Sequence, residues 1–166
     1  MRFLITIVII FISSCPLMAH ENSLCDGKSA NLYCLKENFP ELYSKNYGLF
    51  WNILHDATQK LKVHKNIPDI AAFMEISPII KGNAEVAEFF SNICEEFCVS
   101  NPELCLEALT SLNDESKKSF LDRLRNPIYL SKIKIDNIFL KNKTIKKYHN
   151  IMSIYFQEQT EKKFVK

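Results

Sequence analysis

Cysteine and histidine offer the most chemistry in this chain, and their spacing decides what that chemistry is. The cysteines stand at 15, 25, 34, 94, 98 and 105, and the histidines at 20, 55, 64 and 149. Cys94, Cys98 and Cys105 are spaced C-x3-C-x6-C with no histidine nearby in sequence, which does not match the ligand pairs of structural zinc. No C-x-x-C is present, so the usual redox dithiol motif is missing. None of the histidines belongs to H-E-x-x-H or E-x-x-H, the helical spacings that turn ligands onto one face. His55 and His64 fall about 180° apart on a helical wheel, and His55-Asp56 are helical neighbours that point in different directions. G-x-S-x-G is missing, and Gly27, Gly48 and Gly82 stand alone, so no phosphate-cradling glycine loop can form. The sequence therefore assigns no catalytic residue, no metal site and no cofactor.

The remaining role for cysteine is structural, and it depends on compartment. Arg2 precedes an apolar run from Phe3 to Ile12 and then small and polar residues, the plan of a secretory signal peptide. The run falls short of the roughly 20 residues that span a bilayer. Cleavage after Leu17-Met18-Ala19 makes residues 1–19 the leader and releases a chain starting at His20. The alternative, Ile12-Ser13-Ser14-Cys15, resembles a bacterial lipobox and would leave a lipoprotein anchored at Cys15, the one route to a membrane that the sequence offers. Export to the periplasm or the medium favours disulfides. If a hairpin turns about Asn101, Cys98 lies opposite Cys105 at a bridging separation. Cys25 could then pair with Cys34, leaving Cys94 odd; pairing Cys34 with Cys94 would leave Cys25. The odd thiol would allow a covalent dimer.

The elements that position these residues read as helices. Residues 20–166 are expected to form a single all-α domain, a compact antiparallel bundle or short HEAT-like stack of about six to seven helices. Within it, residues 20–39 form an arm and a short helix, and residues 127–166 form basic C-terminal helices. Tyr43, Tyr47, Phe50, Leu54, Ala57 and Leu61 trace one apolar stripe on a helix from Pro40 to about His64. Pro68 opens the next helix, which stops by Pro78 and Gly82. Asn83 caps a helix with Val86, Phe89, Phe90, Ile93, Cys94, Phe97 and Cys98 on one face and Glu85, Glu88, Asn92, Glu95 and Glu96 on the other. Ser100-Asn101-Pro102 is a turn, a cap and a first helical residue, and Asn113-Asp114 caps the helix after it. The stretch 83–125 resembles a hairpin of HEAT-type repeats, although no second copy recurs at a fixed period. Residues 128–142 alternate in part like a strand, yet no partner strand is evident, which favours helix. Ile145, Tyr148, Met152, Tyr155 and Phe156 mark the last amphipathic helix.

Charge supplies the functional reading. The whole chain is +2, but residues 20–115 carry seven lysines against 15 acids, and residues 116–166 carry 13 basic residues against four acids. Glu88, Glu95 and Glu96 form the candidate acidic recognition face. Lys143, Lys146 and Lys147 form the basic one. Export argues against nucleic acid as the partner. The leading expectation is a non-enzymatic domain that grips another protein, its charge split orienting that partner, similar in style to a periplasmic inhibitor or immunity protein. A carrier of lipid or other apolar ligand is the alternative, suggested by the 12 phenylalanines, and an enzyme of unrecognised type comes after it.

Overall fold

The computed structural model describes Cys25 and residues 31–161, with side chains to residue 157. The expected leader and Cys15 lie outside the described residues. The described chain is all helical. It runs α1 (Leu32–Glu37), α2 (Phe39–Lys45), α3 (Tyr47–Val63), α4 (Ile67–Met74), α5 (Ala84–Ser100), α6 (Pro102–Ser111), α7 (Asp114–Arg125), α8 (Lys132–Lys141) and α9 (His149–Glu161), with a 3-10 turn at Lys146–Tyr148 before α9.

Asparagine starts most of these helices. The side chains of Asn31, Asn46, Asn66, Asn83 and Asn113 each accept the backbone N–H three residues on, which satisfies a donor that the first turn leaves orphaned. The cap at Asn46 corrects one expectation. The stripe from Tyr43 to Leu61 runs unbroken, but the helix does not: it divides into α2 and α3 where Asn46 caps the Leu49 N–H. This split helps raise the helix count above the six to seven expected, to nine α-helices among the described residues. A second correction falls at Asn101. Its side chain turns back to Phe97 O at 3.4 Å instead of capping α6, so Pro102, which needs no N–H partner, starts that helix alone. Between α4 and α5 the chain makes successive tight turns and leaves them through Gly82, whose φ of +100° suits a residue without Cβ.

One continuous core joins all of this. Each helix buries a stripe because isolated helices of this length are marginal in water, and packing supplies their stability. The contacts are not confined to sequence neighbours: α4 lies on α6, α5 on α8, and α9 on both α6 and α7. That makes the fold a bundle, since in a repeat stack each unit touches only its neighbours. The centre is aromatic. Phe73 stacks on Phe90, which meets Phe120 edge to face. Phe139 of α8 stacks on Tyr155 of α9, and the Tyr155 hydroxyl donates to Asp136 at 2.7 Å. Arg125 fastens α7 to α9 by donating to the carbonyls of Ile154 and Tyr155 while also pairing with Asp122. No described helix is long and apolar enough to cross a membrane.

Candidate functional site

The hairpin of α5 and α6 brings Cys98 and Cys105 to disulfide distance with Cα atoms 5.1 Å apart, as the turn at Asn101 predicts. Cys25 and Cys34 are also at disulfide distance, with Cα atoms 5.9 Å apart. Cys94 is left over and sits inside the core, where burial pushes its thiol well above its ordinary range. The odd cysteine therefore lies out of reach of a second chain, which counts against the covalent dimer that an exposed thiol would have allowed.

The two charged faces fare differently. Glu88 and Glu96 are exposed on α5, but Glu95 is 1% exposed, and this corrects its place on the solvated face. The reason is that α5 is covered on more than one side: α6 packs against it, and so do α7, α8 and the segment joining them. Lys143, Lys146 and Lys147 are exposed in the link between α8 and α9. Lys147 pairs with Glu107 of α6, which holds the Glu107 carboxyl below its usual range and the Lys147 ammonium above its own. Lys143 sits over the ring of Phe156 at 5.6 Å. The basic third is thus partly spent on contacts within the molecule.

Buried Glu95 is where the structure spends a charge. Its Oε1 accepts the Ile128 N–H at 2.7 Å, and its Oε2 accepts the N–H groups of Tyr129 at 2.9 Å and Leu130 at 2.7 Å. A carboxylate withdrawn from water is costly unless donors surround it, and three converging amides form such a cradle. The same three bonds fix residues 128–130, which otherwise belong to no helix. Leu130 turns inward against the core. Ile128 and Tyr129 turn outward, 60% and 48% exposed, and Ile133 at the start of α8 is 73% exposed. A buried charge therefore holds a short apolar tip in a defined shape facing water.

A second polar cluster joins α7 to the turns after α4. Arg123 donates from Nε to Ser77 Oγ at 3.0 Å and from Nη2 to Ser77 O at 3.2 Å, and Ser77 Oγ lies 3.0 Å from Ser119 Oγ. The guanidinium sits 5.6 Å from the centre of the Phe90 ring, and this partial burial lowers its pKa. Sequence reasoning missed Arg123 because its partner is 46 residues away.

At the far end of the bundle, the hydroxyls of Tyr43 and Tyr47 each donate to Glu85 at 2.6 Å, joining α2 and α3 to the first turn of α5. These bonds hold the Glu85 carboxyl below its usual range and both phenols above theirs. Edge-to-face contacts continue from Tyr47 through Trp51 to Phe89, and His55 lies against Trp51 and Phe89 as part of this aromatic patch. Among the described residues no group of three His, Cys, Asp or Glu could hold a metal ion.

With this geometry in hand, comparison with known proteins gives no family: no family model matches the chain, and neither curated proteins nor solved structures yield a significant match.

Proposed function

We propose that the chain is an exported, non-catalytic protein-binding domain, and that its contact surface is the tip formed by Ile128, Tyr129 and Ile133. The observation that carries this reading is the cradle of Glu95. Large apolar side chains held outward by a buried charge lose stability to no purpose unless something covers them, and a preorganised tip spares a partner the cost of ordering it. An exposed tyrosine beside branched apolar residues is the composition of an interface anchor. Glu95 contributes to binding through the loop it holds, while Glu88 and Glu96 remain the accessible acids of the recognition face first expected on α5, in the style of an inhibitor or immunity protein. Export rests on the Arg2-to-Ile12 leader, and we assign the Cys25–Cys34 and Cys98–Cys105 pairs as disulfides made in an oxidising compartment. The pocket between core side chains beside Cys94 measures about 10 Å³, room for at most one water, which supports binding over lipid carriage.

The test is affinity capture from the cells' own envelope and medium, with the native chain and an Ile128→Ser/Tyr129→Ala variant compared side by side. A dominant protein retained by the native chain at near-equal amount and lost with the variant is the expected result. Identical capture by both chains would remove the tip as the contact surface.

A further inference from the structure

Beside the tip, a groove of about 300 Å³ opens between α5 and α7, with Lys81, Ser91, Ser119, Asp122, Arg123 and Ile128 along its walls. Its polar groups are short of partners. Ser91 is 4% exposed, yet its hydroxyl makes no hydrogen bond among the described residues. Arg123 spends Nε and Nη2 on Ser77, but its Nη1 has no partner, and no described carboxylate pairs with it. The half-buried guanidinium is held by Ser77 and the Phe90 ring and keeps Nη1 open to the groove. Lys81, exposed at the rim, has no ion-pair partner either. Asp122 is the one acid on the wall, and its charge is taken up by Arg125. The groove thus presents two cations and a hydroxyl without a protein partner to whatever enters it.

We propose that this groove is a carboxylate site, and that it takes an aspartate or glutamate side chain of the polypeptide that covers the Ile128–Tyr129 tip. This rests on the reading of the tip as a contact surface. One Nη1 hydrogen and the Ser91 hydroxyl suit the two oxygens of one carboxylate, whose charge-assisted bonds are short and directional. A phosphate dianion would bring a second negative charge up against Asp122. Ile128 decides between a free acid and a side chain. It is at once a wall of the groove and the first residue of the apolar tip, so one peptide carrying an acid next to a branched apolar residue engages both.

The test titrates the purified, ¹⁵N-labelled protein, following the Arg123 Nε–H and the amides of Ser91, Ser119 and Tyr129. The probes are sodium acetate, inorganic phosphate, the peptide Ac-Leu-Glu-Leu-NH2 and its Gln isostere. The acidic peptide is expected to move the groove and Tyr129 together and to bind at least about tenfold more tightly than the Gln peptide, the ratio that one lost charge-assisted bond gives. Ser91→Ala and Lys81→Glu, neither of which disturbs the Arg123–Ser77 contact, are expected to weaken it. Equal binding of the Glu and Gln peptides, or preference for phosphate at the groove, overturns the carboxylate assignment. Peptide binding no tighter than acetate overturns the polypeptide assignment. Shifts at Tyr129 with none at Arg123 would reject the groove and leave the tip standing; a groove filled by carboxylate with Tyr129 silent would reject the tip instead.

Discussion

Replacing Glu95 separates a structural charge from a recognition charge. In Glu95→Gln the volume is conserved, but only one oxygen remains. Placed at the Oε2 position, it keeps the bonds from Tyr129 and Leu130 as neutral ones. The amide nitrogen then faces the Ile128 N–H, donor against donor. Hydrogen bonds to a charged group contribute about 1.5–3 kcal/mol each, against about 1 kcal/mol for neutral ones. Losing one such bond and weakening two sums to about 2.5–7 kcal/mol, and hydration of the freed Ile128 amide at the exposed tip keeps the cost near the low end, about 3 kcal/mol. Glu95→Ala removes all three and leaves a small void, but the freed amides of the exposed tip can hydrate, which holds the cost to about 3–4 kcal/mol. Urea unfolding reads these as a lowered midpoint with unchanged slope. Hydrogen exchange is expected to become fast at Ile128 in Glu95→Gln, and at Ile128, Tyr129 and Leu130 in Glu95→Ala, before any change in the core. A Glu95→Gln protein within about 0.5 kcal/mol of the native one, with the Ile128 amide still protected, would refute the claim that this carboxylate builds the tip.

Two further outcomes follow from the described groups. The Glu85 carboxyl is held below its usual range by Tyr43 and Tyr47, so its contribution is present at neutral pH and lost as pH falls through that lowered value. Thermal midpoints of the native protein and Glu85→Gln should therefore differ at neutral pH and converge in acid; parallel curves would remove the role given to the two hydroxyls. Cys94 should be silent toward a thiol reagent in the native protein and react once denaturant opens the core, because burial keeps it a neutral thiol; rapid labelling of the native protein would contradict its burial.

What the sequence disclosed was local. Helix starts at Asn66, Asn83 and Asn113 are readable because a cap and its N–H lie three residues apart. The facing of Cys98 and Cys105 follows from a short turn. The helix over 132–141 is legible for a weaker reason, the lack of any partner strand. The break at Asn46 was obscured because the apolar stripe continues in register across it, and an asparagine within a stripe does not announce that it will cap. Glu95 was misplaced for a deeper reason. Periodicity locates a residue around its own helix but says nothing of how many neighbours that helix will have. Its partners, moreover, are backbone N–H groups, which carry no side-chain signature. The same holds for Arg123 and Ser77, whose meeting depends on how α7 settles against the turns after α4.

The asparagine caps have a consequence for acid tolerance. An aspartate in the same place would accept the same N–H more strongly, but each such cap would then weaken as its carboxylate gained a proton. Asparagine has no proton to gain, so the cap bonds at the starts of α1, α3, α4, α5 and α7 do not themselves titrate. Acidification of the surroundings would therefore reach this bundle through individual carboxylates such as Glu85, while five of its helices begin on caps that do not titrate.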